Sequence, residues 1–511
     1  MTALTRRRAL SLVPGLMAMG LLPAGATENI GMTLEPGIAF DPAMIADMAR
    51  RLAAAPYVPP PPVADGWRQL TYDQFKSIWF DTRHSLYRGT GGAVQAEFFP
   101  AGLYFTAKIA INAVTGGQAH AVRFERRVFD MTDRFPDLPD DGTGFAGFRL
   151  LGEMVRNGIY QEYAAFQGAS YFRAIGRDLA YGISARGLAL DTAAATPEEF
   201  PLFREFWIEE AAPGAGQAVI HALLDSPSVA GAYRFVIAPG TSTLMDIEAR
   251  LYPRRDLTGA GIAPGTSMFL FNDLNRAGHD DFREAVHDSD GLLMRNGAGE
   301  TLWRPLTNPK SLEVSAFADT SPRGFGLMQR ARGGEADTDL VAHYQRRPSL
   351  WVEPVGDWGP GQVVLVEIPT DKEINDNIVA FWHPAAPLAT GQEHVFAYRL
   401  HWCVQAPDEG AVARVLSTRG GARVFEAGRI FAIDFAPHAA LGDDPGAIEA
   451  RVSANAGELS QPLLQVNPAT GGLRLDLTLR PPATGSVELR AALWRAGTRV
   501  SEVWLFRWSA A

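Results

Sequence analysis

An all-β fold is predicted by the turn-forming residues of the chain and by alternation within its apolar segments. The 511 residues include 51 glycines and 35 prolines. They recur at short intervals, as in chains whose many strands are joined by turns. Apolar and polar residues alternate from Leu244 to Tyr252, which is the pattern of a strand with one buried face. Residues 233–238 and 363–368 are also predicted strands. Strands and long helices do not alternate along the chain, so a parallel α/β fold is not expected.

A helix and a stiff connector are predicted ahead of these strands. Asp41 is placed to cap the helix and Pro42 to occupy its first position. The segment 43–55 is rich in Ala, Leu and Met, and Pro56 ends it. Four consecutive prolines at 59–62 then predict an extended segment.

Two domains are expected, because 511 residues exceed what one ordinary core can organise. Prolines and glycines break the pattern between residues 384 and 411. Beyond that break, short alternating strands such as 473–480 follow at regular spacing, and about seven strands in such a length are typical of an immunoglobulin-like sandwich. We therefore expect a large domain over 27–402 and an immunoglobulin-like β-sandwich over 403–511.

The N-terminus predicts export. Arg6 and Arg7 precede an apolar stretch over 10–22, and the small residues at 24–26 form a cleavage site. The paired arginines indicate a twin-arginine signal peptide over 1–26, with an ordinary secretory signal as the alternative. We therefore expect a periplasmic protein.

Composition argues against several classes of function. A formal net charge of −10 is unfavourable for nucleic-acid binding, which needs a basic face. No run of 18 apolar residues follows residue 30, so no membrane span is predicted. Cys403 is the one cysteine and the ten histidines lack metal-ligand spacing. The P-loop, the GxGxxG motif after a strand, the HExxH motif and the GxSxG motif are also missing, and neither a metal nor a cofactor is expected.

Three segments combine carboxylates with aromatic, arginine and amide side chains, namely 287–293, 344–359 and 367–382. Each has a plain structural interpretation, respectively as a hydrogen-bonded turn, as core anchors with surface ion pairs, and as a solvated loop edge. Taken together they have the parts of a saccharide cleft: carboxylates for acid and base, tryptophans for stacking, and arginines and amides for hydroxyls.

These segments and others resemble the periplasmic glucan biosynthesis proteins OpgG and OpgD, also written MdoG and MdoD. The likeness runs from about residue 37 to 404, whereas the remainder is similar in character alone. The segments that carry it are 184–187, 203–207, 224–229, 231–236, 261–264, 267–271, 286–293, 322–326, 347–354 and 375–382.

The resemblance implies a galactose-mutarotase-like β-supersandwich followed by the small sandwich. It also implies a role in making osmoregulated periplasmic glucans, whose backbone is β-1,2-linked glucose. Members similar to OpgD include endo-β-1,2-glucanases that invert the anomeric carbon, and close relatives cyclise the glucan by inverting transglycosylation. The twin-arginine signal favours the OpgD type. A non-catalytic glucan-binding scaffold is a further alternative for the function. A homodimer is a further alternative for the oligomeric state.

Site residues follow from the matching motifs. The resemblance implies that Asp376 is the general acid and Asp288 the general base, with a proton path through intervening hydroxyls and waters. The residues expected to bind the glucan are Glu373, Tyr344, Arg347, Trp351, Trp358 and Trp382. At least one of these three tryptophans is expected to stack on a sugar ring, because an aromatic face offsets the loss of water from the apolar face of the sugar.

We predict that replacing both Arg6 and Arg7 with Lys blocks export, because the twin-arginine pathway recognises the arginine pair itself. The measurement is the amount of mature protein in a periplasmic fraction, with a single distant Arg51→Lys change as the control. Normal periplasmic accumulation of the double variant would show that the signal is an ordinary secretory one.

Overall fold

A computed structural model describes residues 31–92, 94–132, 135–139, 142–156, 158–332, 339–407 and 410–510. Strands make up 47% and helices 8% of it, which confirms the all-β class. The predicted signal peptide, residues 1–26, lies outside the described residues. No described helix is long and apolar enough to cross a membrane.

Three short α-helices lie near the start of the described chain. The first is Ala43–Ala53, in the place predicted for it, and Asp41 accepts a hydrogen bond from the backbone of Ala43 at 2.9 Å. The other two are Asp65–Arg68 and Tyr72–Lys76.

The strands of the first half of the chain contain the predicted strand residues 233–238 and 244–252. They are β1 (Ile38–Ala39), β2 (Val94–Pro100), β3 (Ala110–Thr115), β4 (Gln118–Ala121), β5 (Phe145–Gly152), β6 (Gln161–Gln167), β7 (Tyr171–Ala174), β8 (Ser184–Arg186), β9 (Leu188–Leu190), β10 (Leu202–Glu209), β11 (Ala218–Asp225), β12 (Val229–Ala238), β13 (Thr243–Pro253) and β14 (Ala260–Ser267).

The middle of the chain contains the predicted strand near 363–368. Its strands are β15 (Phe269–Phe271), β16 (Val286–His287), β17 (Gly291–Arg295), β18 (Thr301–Pro305), β19 (Glu313–Thr320), β20 (Gly324–Met328), β21 (Ser349–Val355), β22 (Pro360–Glu367), β23 (Ile378–Pro384) and β24 (His394–Cys403).

The last part of the chain is a series of short strands, as predicted. They are β25 (Val415–Ala422), β26 (Arg429–Phe435), β27 (Ile448–Ala454), β28 (Glu458–Leu459), β29 (Leu463–Val466), β30 (Leu473–Arg480), β31 (Ser486–Arg495), β32 (Thr498–Arg499) and β33 (Val503–Ser509). Along β30 the leucines are buried and the intervening side chains are more exposed.

The described chain divides into two units. The first comprises the described residues up to Pro264 together with Phe381–Trp402, and the second comprises Gly265–Ala380 together with the described residues from Cys403 onward. This division shares a break at 402/403 with the domain boundary expected from the sequence, but it groups 265–380 with the C-terminal strands. The two-domain boundary itself stays a prediction.

The first unit is a β-sandwich with an interior of phenylalanines. One sheet contains the antiparallel series β10, β11, β12, β13 and β24, and the other contains β5, β6, β7 and β8. Phe148 and Phe166 from the second sheet contact Phe206 from the first, with ring centroids 5.0 and 5.7 Å apart. Facing aromatic side chains of this kind fill the space between packed sheets.

The second unit has its own core. Its strands β17, β18, β20 and β21 are antiparallel neighbours, and β18 pairs in parallel with the C-terminal strand β33. Phe431, Leu475, Leu489 and Trp504 are among the buried side chains of this core, and Trp303 belongs to it as well. The two chain segments of this unit therefore share one hydrophobic core.

A buried ion pair also joins these two segments. Both Glu502 carboxylate oxygens contact the Arg330 guanidinium, at 2.7 and 2.8 Å, and one of them accepts the backbone N–H of Val415 at 2.8 Å. The guanidinium lies 3.8 Å from the ring centroid of Trp303. Because both charges are out of water, removing either one leaves the other uncompensated.

We predict that Glu502→Gln lowers the free energy of unfolding by about 3 kcal/mol, since it leaves a buried guanidinium without its full counter-charge. Urea denaturation monitored by tryptophan fluorescence measures the change. Glu449→Gln, which removes a surface partner of Arg451, serves as the matched control and should leave the transition unchanged. Equal effects of the two substitutions would contradict the assignment.

Candidate functional site

Asp288 is fully buried just after β16. Its backbone N–H donates to the carbonyl of Met268 at 2.8 Å, and its Oδ1 lies 3.7 Å from the Nε of Arg347.

Asp290, two residues on, accepts the backbone N–H groups of Arg330 and Ala331 at 3.1 and 2.9 Å. The two carboxylates of this motif therefore differ in role: Asp290 organises a turn, as the structural interpretation expected, and Asp288 faces a guanidinium.

Asp376 lies at the end of the loop between β22 and β23 and is partly exposed. The next residue, Asn377, fixes the end of this loop. Its Oδ1 accepts the N–H of Phe269 at 2.8 Å, and its Nδ2 donates to the carbonyls of Phe269 and Ile368 at 2.9 and 3.0 Å. All three of these hydrogen bonds join the Asn377 side chain to backbone groups. The position of Asp376 is therefore set by its neighbour Asn377.

The segments that carry the two predicted catalytic carboxylates are therefore anchored to adjacent residues. Met268 receives the backbone of Asp288, and Phe269 is bonded twice by the side chain of Asn377. Phe269 also pairs with His287 in the ladder between β15 and β16. The structure thus brings together two motifs that lie almost ninety residues apart in the sequence.

His287 completes this side of the site. Its ring is buried and stacks on Phe269, with centroids 5.6 Å apart and planes inclined by 11°. Burial lowers the pKa of His287 below its ordinary value. The imidazole beside Asp288 is therefore neutral at neutral pH and does not compete with Arg347 as a cation.

Arg347, which lies near Asp288, also contacts Tyr344. The Arg347 guanidinium lies 5.4 Å from the ring centroid of Tyr344 and donates to the carbonyl of Ala342. The Nε2 of Gln329 donates to the carbonyl of Tyr344 at 2.9 Å and to that of His287 at 3.4 Å. Gln329 was not predicted, because a single glutamine outside a motif carries no sequence signal.

Glu373 contacts an arginine that the sequence analysis also missed. Its Oε2 lies 2.7 Å from Nη1 of Arg283, and the same nitrogen lies 3.0 Å from Asp339. Asp281 binds the remaining nitrogens of this guanidinium.

The hydrogen bond from Arg283 lowers the pKa of Asp281, and three carboxylates around one guanidinium raise the pKa of Arg283. Arg283 therefore connects the Glu373 loop to the segment that carries Tyr344 and Arg347.

The predicted stacking role of the tryptophans is not supported. Trp351, Trp358 and Trp382 are 1%, 8% and 0% exposed. Trp351 belongs to the hydrophobic core of the second unit and lies 5.0 Å from the Arg295 guanidinium. Stacking on a sugar requires an open ring face, and none of the three indoles presents one. Trp351 and Trp382 lie within β21 and β23, in stretches where the preceding strand residues are buried as well.

Metal chemistry has no candidate in the described part of the chain. No group of three or more His, Cys, Asp or Glu side chains is arranged there to hold an ion. The ionisable groups that the described residues bring to this site are carboxylates, an imidazole and guanidinium groups.

We predict that Asn377→Ala raises hydrogen exchange of the 268–271 backbone and of Ile368, because it removes three hydrogen bonds, two of them buried, that hold the Asp376 loop. Hydrogen-exchange mass spectrometry measures the effect. The matched control is Asn375→Ala in the same loop, which removes a single contact to Thr370 and should leave 268–271 protected. Unchanged protection in the Asn377 variant would show that the loop is held in another way.

Comparison with known proteins identifies the family. The model of the family described as "Periplasmic glucan biosynthesis protein, MdoG" matches residues 40–508, so the likeness extends well past residue 404. A relative named glucans biosynthesis protein G from Rhodopseudomonas palustris (strain BisA53) is 45% identical over 507 residues, covering 99% of this chain and all of the relative. One of the same name from Shewanella sp. (strain ANA-3) is 46% identical over 475 residues, covering 92% of this chain and 87% of the relative.

These names bear on two expectations. The periplasmic location predicted from the N-terminus agrees with the name of the family. The preference for the OpgD type is not supported, because the relatives carry the name of the G protein. On the strength of a match that spans nearly the whole chain, this protein belongs to the family of periplasmic glucan biosynthesis proteins.

Proposed function

We propose that this protein acts on β-1,2-glucan in the periplasm as an anomer-inverting endo-β-1,2-glucanase. Asp376 is the general acid and Asp288 the general base. The observation that carries the proposal is that the backbone of Asp288 and the side chain of Asn377, the neighbour of Asp376, are hydrogen-bonded to the adjacent residues Met268 and Phe269. An inverting reaction needs one protonated carboxyl at the leaving oxygen and one ionised carboxylate for the attacking water, held at a fixed separation.

The different surroundings of the two carboxylates support this division of roles. Asp376 is partly exposed at the end of a loop and can reach a bound chain. Asp288 is buried beside the Arg347 guanidinium, which supplies a counter-charge to a carboxylate kept out of water. The buried carboxylate cannot touch the attacking water directly, so the proton of that water reaches it through intervening hydroxyls and waters.

Arg283 and Glu373 hold the acid loop in this scheme. Glu373 lies three residues before Asp376 and contacts Arg283 at 2.7 Å. Asn377 holds the other side of Asp376 through Phe269. Fixing the loop on both sides of the acid limits the reorganisation needed in the transition state, which is how positioning contributes to rate.

We predict that Asp376→Asn abolishes turnover of linear β-1,2-glucan and leaves binding intact. Asn retains the size and most hydrogen bonds of Asp but has no acidic proton to give, and loss of a general acid typically costs about 10²–10⁴ in rate. Asp288→Asn is expected to behave in the same way, because an amide cannot accept the proton of the nucleophile. Activity and calorimetric binding are measured side by side, with thermal unfolding to confirm that each variant is folded.

The matched control is Asp371→Asn, an exposed carboxylate in the same loop, which should keep normal turnover. Near-normal turnover by Asp376→Asn would refute the assignment of the acid. Mass spectrometry of the products separates the remaining functions. Shorter linear chains indicate hydrolysis, a mass lower by one water indicates cyclising transglycosylation, and binding without any product indicates a scaffold.

A further inference from the structure

Phe282 is a large aromatic side chain left in water. It is 77% exposed, on the loop between β15 and β16. Single exposed apolar residues are common on protein surfaces and need no function of their own. The surroundings of Phe282 are therefore what decide whether its exposure has a use.

The loop around Phe282 is held by side chains on both sides of it. The Oδ1 of Asp281 accepts both the backbone N–H and the Nε–H of Arg283, each at 2.9 Å, which closes a turn with Phe282 at its apex. The Arg276 guanidinium donates to the carbonyls of Asp281 and Arg283. The Arg283 guanidinium lies 5.7 Å from the Phe282 ring centroid. A turn fixed in this way presents the ring outward without further ordering.

Two more exposed apolar side chains are attached to the same guanidinium. Leu340 and Val341 are 79% and 91% exposed. They follow Asp339, whose Oδ2 lies 3.0 Å from Arg283 and whose Oδ1 accepts the N–H of Val341 at 2.9 Å. Burial alone would raise the pKa of Asp339, but the amides of Ala342 and Val341 together with Arg283 lower it, so the bridge is charged at neutral pH. Several exposed apolar side chains in one region mark a binding surface more strongly than one does.

The exposed apolar side chains of Phe282, Leu340 and Val341 are connected to the candidate site through Arg283. Arg283 also contacts Glu373 at 2.7 Å, and Glu373 is three residues from Asp376. The carboxylates around Arg283 can accept hydrogen bonds from hydroxyl groups. Because carboxylates outnumber arginines in this region, an anionic ligand is disfavoured. A β-configured glucose ring has a flat apolar face of C–H groups and a rim of hydroxyls, so it fits an open aromatic ring bordered by carboxylates.

We propose that Phe282 is the stacking residue for one glucose unit of the glucan chain, with Leu340 and Val341 extending its apolar surface. This rests on the proposed function. It assigns to Phe282 the part that the buried tryptophans cannot take. The ring contacts the sugar face, and the Arg283 guanidinium keeps that ring in line with the loop that carries the general acid.

The test measures glucan binding without turnover. In the Asp376→Asn background, Phe282→Ala should weaken calorimetric binding of a linear β-1,2-glucan of defined length by about 2- to 10-fold, the range for losing one aromatic stack. Phe282→Tyr and Phe282→Trp should restore it. In the otherwise unchanged enzyme, Phe282→Ala should raise KM and leave kcat unaltered, because stacking is a ground-state contact. The matched control is Trp79→Ala, which removes a half-exposed aromatic of the other unit and should change nothing.

The outcomes separate this inference from the function on which it rests. If the glucan binds and Phe282→Ala alters neither affinity nor KM, the inference is wrong even where Asp376 proves essential. If the wild type never turns the glucan over but its affinity depends on residue 282, the hydrolase proposal is wrong and the inference stands. A change in sedimentation coefficient without a change in affinity would mean that Phe282 contacts a second copy of the chain, and would overturn it. Absence of glucan binding by every variant would overturn both.

Discussion

Backbone pairing along residues 268–271 is the constraint on which the candidate site depends. This segment offers N–H and C=O groups that must be satisfied once buried, and the partners that satisfy them come from two distant parts of the chain. One partner is the backbone of Asp288 and the other is the side chain of Asn377. Because a hydrogen bond fixes distance and direction together, satisfying this short segment also positions the stretches of chain that carry the two predicted catalytic carboxylates.

Buried carboxylates in the second unit are matched with arginines, and this limits which of them can do chemistry. Glu367 faces Arg304 at 3.3 Å and accepts two hydrogen bonds from Thr307, yet burial still raises its pKa. A raised pKa in the folded state means that the contribution of this group to stability is greatest at low pH and declines as pH rises through that pKa. Glu367 and Glu502 therefore belong to the structure of the unit, whereas Asp288, whose guanidinium stands off at 3.7 Å, keeps a looser contact with its counter-charge.

The sequence predicts the strands well and the site in part, for physical reasons that differ. Alternation reports which face of a strand is buried, so β13 and β30 were found from the sequence alone. The motifs of the two predicted catalytic carboxylates were identified through a resemblance, since nothing in the residues themselves joins position 288 to position 376. Asn377 and Arg283 were missed because their roles depend on backbone groups and loops that are remote in sequence. The three tryptophans are buried, and for Trp351 and Trp382 a place within apolar strands already pointed to the core.

The same reasoning explains why the aromatic surface of the site lies on loops. A strand side chain that faces inward is covered by the opposing layer, so a ring in β21 or β23 is used for packing. An aromatic that has to meet a hydrated sugar must leave the layers, and it then needs some other means of being held. At Phe282 the means is a pair of arginines that bind the carbonyls and carboxylates of its own turn. Because Arg283 also contacts Glu373, the position of this ring and the position of the Asp376 loop depend on one guanidinium.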